Sequence, residues 1–226
     1  MMPYFILNNI ISTDYLTIET LPSIVRATKD IEKKEVLGRD GFLTHDHGSY
    51  RSTVKNVVCW IKNLDNLDLI CSWLTGSGDV VFSNEPEKVY EFTIINQIDF
   101  SKIIREFHKF IITFECQPKK KNIDNPLITL ESAGTIFNSG TAISKPIIKV
   151  YGNGNIDLNI NGNIINLTNV SEYVTLDSNL QDSFKGLDYK NYEMNGKFPL
   201  LKTENNNISW TGTVDKVEIT PNWRWL

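Results

Sequence analysis

The chain has 226 residues, 41% of them hydrophobic and 22% charged, with a net charge of −4. This length suits one or two globular domains, each with a core of its own. No apolar run approaches the roughly 20 residues of a membrane span. No basic and apolar leader opens the chain, and Lys119-Lys120-Lys121 is the one basic run, so membrane insertion, conventional secretion and nucleic-acid specificity are not expected.

Taken in chain order, Tyr4 to Leu7 and Tyr15 to Ile18 read as short strands joined into an opening hairpin through Asn8-Asn9, a pair that tolerates left-handed geometry. Gly41 to Gly48 reads as a polar loop. Val54 to Ile61 is an apolar run of strand length, which predicts a strand buried on both faces or nearly so. Leu67, Ile70, Cys71 and Leu74 then fall at i, i+3, i+4 and i+7. That spacing predicts one helix of about three turns, with Asn63 or Asp65 as N-cap and Gly76 beyond its end. Gly76 to Asp79 reads as a turn, and Val80 to Ser83 pairs with the alternating Tyr90, Phe92, Ile94 in a hairpin. Phe110, Ile112, Phe114 and Cys116 form a last strand, which Pro118 ends by removing a donor.

Composition changes at Gln117 to Asn122. All Cys and His residues precede that point, and beyond Pro126 about one residue in seven is Asn. A boundary there gives an N-terminal domain, 1–122, and a C-terminal domain, 123–226. Residues 126–226 carry 8 basic and 10 acidic side chains and the rest 15 and 17, so each part is net −2. In the second part Ile156 to Ile160, Asn161-Gly162 and Asn163 to Leu167 form a hairpin with a two-residue loop. That loop pairs Ile160 with Asn163, Leu158 with Ile165 and Ile156 with Leu167. Pro146 to Tyr151, Tyr173 to Leu176, Ile208 to Thr211 and Val214 to Thr220 are further strands. With no helical periodicity here, the second part is expected to be an all-β sandwich.

No catalytic constellation stands out. His45-Asp46-His47 could offer metal ligands but has no second cluster to complete a set, and His108 has no nucleophile motif beside it. Asp157, Glu172, Asp177, Asp182 and Asp188 lie at polar strand or turn positions, with nothing to mark an acid and base pair. Cys59, Cys71 and Cys116 lack disulfide or zinc spacing and read as reduced, buried thiols. Neither an enzyme nor a cofactor or metal site is expected.

Particular words of the sequence carry a resemblance. Leu37-Gly38-Arg39-Asp40-Gly41-Phe42-Leu43, Gly48-Ser49-Tyr50, the run from Trp73 to Pro86, Phe107 to Phe110 and Phe114 to Pro118 resemble the N-terminal domain of the distal tail protein (Dit) family of siphophages. Phe137 to Thr141, Lys145 to Gly154, Met194 to Pro199 and Ile219 to Arg224 resemble that family's C-terminal galectin-like sandwich. The resemblance implies a mainly β fold, an N-terminal β-sandwich or barrel-like domain with one α-helix followed by the galectin-like sandwich. It implies a structural virion protein, a hexameric ring at the tail tip or baseplate hub, assembled in the host cytoplasm. Implied partners are tail tube protein, tape measure protein and a tail-tip protein, tail-associated lysin or receptor-binding protein, with DNA passing through the channel. Gly38, Arg39, Asp40 and Gly41 are the candidate ring or partner contacts, because glycines permit a tight turn and Arg and Asp can form charge-assisted bonds across a boundary. Galectins bind sugar with a His among their ligands, and residues 126–226 contain none. A carbohydrate-binding module for host wall polysaccharide is the alternative reading, with Tyr192, Trp210 and Trp223 as the glycan-contact aromatics.

Overall fold

The computed structural model describes residues 2–61, 65, 67–98, 101–104 and 107–226. Contacts divide the chain into two compact units, one of Met1–Lys120 together with Leu226, the other of Lys121–Trp225.

The first unit holds β1 (Phe5–Leu7), β2 (Ile10–Ile11), β3 (Leu16–Thr20), β4 (Lys29–Glu35), β5 (Phe42–Tyr50), β6 (Thr53–Ile61), helix α1 (Leu67–Trp73), β7 (Ser77–Phe82), β8 (Lys88–Ile94), β9 (Ser101–Ile104) and β10 (Phe107–Cys116). Its main sheet runs β2-β1-β7-β8-β10-β6-β3, with β9 on β10, and the described pairings are antiparallel. Alternation sets what this sheet buries. Phe110, Ile112, Phe114 and Cys116 point inward from β10 and face Val57, Cys59 and Ile61 from β6, whereas Ile111 between them is half exposed. Phe114 sits edge-on to Phe5, Phe82 and Phe92 at ring separations of 5.3–5.8 Å, an aromatic centre drawn from four strands.

Four expectations for this unit are corrected. Asn8 and Asn9 do turn the chain with positive φ, but the strand they pair onto Phe5–Leu7 is Ile10–Ile11, while Leu16–Thr20 crosses to β6. β6 is buried on one face only, since Val54 is exposed and Val58 and Trp60 are half-buried. α1 spans Leu67–Trp73, two turns rather than three, and buries Ile70 but not Cys71 or Leu69. Ser77–Asp79, read as a turn, already belongs to β7. Asn63 lies outside the described residues, as does the side chain of His108.

After β11 (Lys120–Asn122), the second unit contains β12 (Ile128–Leu130), β13 (Gly134–Asn138), β14 (Ile147–Ile160), β15 (Asn163–Val170), β16 (Tyr173–Asp177), β17 (Asp182–Lys185), β18 (Asp188–Tyr189), β19 (Met194–Asn195), β20 (Glu204–Thr220) and β21 (Arg224–Trp225). The β14–β15 hairpin has the predicted register, Ile160 with Asn163, Leu158 with Ile165 and Ile156 with Leu167, around Asn161 and Gly162, both at positive φ. Two long strands organise the unit. The segments read as separate strands at 146–151 and 156–160 are one strand, β14, and those at 208–211 and 214–220 are one strand, β20. The two pair along their length, with register shifts at Tyr151/Gly152 and Asn153/Asp157. Below the shifts β14 pairs with β16, and beyond them with β15. The sheet bends there, so Ile148 and Val150 from one half and Ile156, Leu158 and Ile160 from the other enter a single core with Leu176, Ile208, Val217 and Ile219.

Candidate functional site

β4 and β5 form a two-stranded sheet of their own, paired from Lys29 with Tyr50 to Glu35 with Phe42. Nearly every side chain on it is exposed. Strand alternation places Ile31, Lys33, Phe42 and Thr44 on one face, where the Lys33 ammonium lies 4.6 Å from the Phe42 ring centre. Glu32, Lys34, Leu43, His45 and His47 share the other. The His45 and His47 rings meet edge to face at 4.8 Å, and His47 Nε2 lies 3.9 Å from Glu32 Oε2. Among the described residues no group of three His, Cys, Asp or Glu side chains could hold a metal. Of the polar loop expected at 41–48, all but Gly41 belongs to strand β5.

At the tip of this arm Arg39 N donates to Val36 O at 3.1 Å, and Gly38 and Gly41 both take φ of +80°, a region that favours glycine. The predicted contact residues Gly38, Arg39, Asp40 and Gly41 thus make up the turn that joins β4 to β5. Leu37 beside them is fully exposed, as are about half the surfaces of Val36, Phe42 and Leu43. An isolated hairpin in water is marginal, and one with apolar side chains on open faces gains from being covered.

The base of the arm is fixed by polar contacts. Lys29 Nζ donates to Asp46 Oδ2 at 2.5 Å and Gly48 N donates to Asp46 Oδ1 at 2.9 Å, so the Lys29 bond and then the backbone amide hold the Asp46 carboxyl below its usual value. Arg51 pairs with Asp30 at 2.8 Å, and its amide donates to Thr28 O at 2.9 Å. In the preceding segment, Asn84 Nδ2 donates to Pro22 O at 2.9 Å and the buried Lys55 Nζ to Ser23 O at 3.4 Å. Around Lys55 lies a charged cluster in which Tyr90 Oη and Lys120 Nζ both donate to the Glu85 carboxylate. Burial lowers the Lys55 pKa. It works to raise that of Glu85, and the bonds from Lys120 and Tyr90 outweigh it to leave the carboxyl low.

The remaining candidates have structural work. Asp177 accepts from the amides of Asn179 and Leu180, Asp157 from Asn166 Nδ2, and Asp182 from Asn191 Nδ2; Glu172 pairs with Lys185 at 2.9 Å. Of the three aromatics set aside for glycan contact, Trp223 is buried in the core of the second unit, Trp210 packs against that core and Tyr192 alone stands exposed. Trp223 therefore offers no sugar platform. Cys59 and Cys116 are buried, and burial pushes the Cys116 thiol up to about 12, whereas Cys71 is exposed. No helix among the described residues is long and apolar enough to cross a membrane.

No family model matches this chain, and no curated protein does so. Among solved structures, the Dit protein of phage SPP1, described as a paradigm of the hub adsorption apparatus in phages that infect Gram-positive bacteria, matches with a TM-score of 0.81 over 100% of both chains at 15% identity. The chain has the fold of a phage distal tail protein. An insecticidal delta-endotoxin from Bacillus thuringiensis matches with a TM-score of only 0.17 at 10% identity, over 97% of this chain and 52% of that one, and carries no argument. The distal-tail fold accounts for both units in order, so the mainly β architecture expected from the resemblance is the one observed. The arm strands were the part missed by sequence reading. Lys29 to Glu35 alternates no apolar face, and the one available signal was the pairing of Gly38 and Gly41 around a turn.

Proposed function

We propose that this chain is a structural virion protein of the distal tail family, a non-enzymatic hub at the tip of a phage tail. The observation that carries the reading is the likeness to a phage hub protein over the whole of both chains. In the proposed assembly six copies close a ring that joins the tail tube to the tail-tip or receptor-binding apparatus, with the tape measure protein and DNA passing its channel. It is assembled in the host cytoplasm and carried in the virion. Closing such a ring requires a head-to-tail contact between two different surfaces of the same chain. The β4–β5 arm supports this, because it stands apart from the main sheet and carries exposed apolar residues at a glycine-bounded tip. Arg39 and Asp40 at that tip are the proposed charged contacts.

Negative-stain imaging of the concentrated protein, with its mass measured in solution, tests the proposal. Six-fold rings with a central opening are the expected result. Monomers at every concentration, both alone and mixed with tail tube protein, would overturn it.

A further inference from the structure

We propose that a groove at one end of the second unit docks an extended acidic peptide segment of a partner protein, aliphatic side chains alternating with carboxylates. The groove has a volume of about 470 Å³ and is bounded by the β14–β15 turn, Ile143 and the segment from Lys197 to Lys202. This is within the range of pockets that hold a ligand of a few side chains.

Strand alternation explains why the groove is apolar. Ser144 and Leu201 form an isolated antiparallel bridge, exchanging N–H···O bonds of 2.9 and 3.1 Å, and both side chains are wholly buried. Their neighbours Ile143, Leu200 and Lys202 must then point outward, and Ile143 and Leu200 each expose nearly half their surface. Phe198, half-buried, and the inner residue Ile160 complete the apolar lining.

The walls are fixed in advance by asparagines. Asn206, wholly buried, accepts from Lys202 N at 2.8 Å and donates to Lys202 O at 2.9 Å, and the buried Asn138 donates to that same carbonyl at 2.9 Å. Asn161, at the hairpin turn, donates to Asn206 Oδ1 at 2.8 Å, while Asn163 donates to Lys197 O at 2.9 Å. Both lysine backbones are therefore tied to the hairpin that forms the opposite wall, which lowers the ordering cost of binding.

Charge selects the occupant. No carboxylate lines the groove, and among the described residues neither the Lys197 nor the Lys202 ammonium has an ion-pair partner. Elsewhere lysines meet carboxylates, as in Lys185 with Glu172, Lys190 with Glu193 and Lys216 with Glu218. In a chain of net charge −4, a groove with only positive side chains around an apolar floor favours a ligand that is both anionic and aliphatic. An extended segment meets both demands, its aliphatic side chains seated on Ile143, Phe198 and Leu200 and its carboxylates beside the two ammoniums.

The test is fluorescence anisotropy of the full chain with a labelled peptide alternating Leu and Asp, against control peptides with Ser for Leu or Lys for Asp. Saturable binding of the Leu/Asp peptide alone is expected, weakened at least about tenfold by K197Q with K202Q, and likewise by I143S with L200S. Thermal unfolding shows whether each variant is folded, and a third variant, Lys197→Glu, keeps the test alive if the apolar pair unfolds. Binding that ignores these substitutions, or no binding, would overturn the proposal. Saturable binding of laurate without peptide would overturn it in favour of an acyl anion, and self-association lost in I143S would do so in favour of a second copy. The groove and the ring stand separately, because K197Q with K202Q is expected to leave the oligomeric state unchanged.

Discussion

The ammonium of Lys55 lies 4.5 Å from the centre of the Tyr90 ring inside the first unit, although Lys55 retains only 2% of its surface. Alternation along β6 puts position 55 on the core face with Val57, Cys59 and Ile61, and the long side chain carries its charge past Tyr90 toward Ser23 O. The ring and that carbonyl replace part of the lost hydration, with Glu85, Lys120 and Cys116 as the titratable groups nearby.

Because burial lowers the Lys55 pKa in the folded chain, the unfolded chain binds more protons between the folded and unfolded values. This residue's contribution to stability therefore rises with pH over that window. Lys55→Met is expected to remove the rise, visible in urea unfolding as the parent gaining stability relative to the variant from pH 7 to pH 10. At pH 7 it should lie within about 1 kcal/mol of the parent or above it. Lys55→Ala, which leaves a cavity, should cost about 2–4 kcal/mol.

Two glycines two residues apart in β14 should fail for different reasons. A Cβ at Gly152 would stand 2.1 Å from the Thr213 carbonyl oxygen, where β14 and β20 approach at the bend, and backbone there has nowhere to move. Gly154 has open space around it, but its φ of +81° is left-handed. Gly152→Ala is expected to lose roughly 3 kcal/mol or fail to fold, and Gly154→Ala about 1 kcal/mol. Thermal unfolding of the pair ranks them, and an equal loss would show that the close approach is not what position 152 requires.

Substitutions on the arm should separate folding from assembly. Phe42→Ser with Leu43→Ser removes apolar surface that is already exposed, so the unfolding free energy should hold within about 0.5 kcal/mol. The same variant should lower the mass found in solution, because the apolar faces are lost from the proposed ring contact. An unchanged oligomer would exclude the arm from that contact.

Thiol titration distinguishes the three cysteines. Cys71 on α1 is exposed and should react at once in the native protein, while Cys59 and Cys116 should react only on unfolding, since burial raises both thiol pKa values. One thiol before denaturant and three after is the expected count. Rapid reaction of a second would place the β6–β10 face in exchange with solvent.

The sequence by itself determined what nearest neighbours along the chain decide. Asn161-Gly162 sets a two-residue loop, and the loop length alone then fixes which side chains oppose each other on β14 and β15. The alternation from Phe110 to Cys116 likewise determined the buried face of β10, because a strand's side chains have a period of two wherever the strand lies. Composition and alternation together suggested two β-rich parts, and the family words added the Gly38 to Gly41 turn as a contact before either strand of the arm could be read.

Tertiary structure decided the rest, where the deciding partner is remote in sequence. The apolar spacing put Cys71 on the buried stripe with Ile70, but burial depends on how α1 is rotated against the sheet, and there Ile70 is buried and Cys71 exposed. Lys29 to Glu35 becomes a strand because Phe42 to Tyr50 offers it a ladder, with backbone bonds replacing the hydrophobic alternation it lacks. Lys55 lies within the run expected to be buried, and what accommodates its charge there, the ring of Tyr90 and the carbonyl of Ser23, comes from elsewhere in the chain. The groove beside Lys197 and Lys202 exists only because the Ser144–Leu201 bridge and the buried Asn206 bring three distant segments to one place.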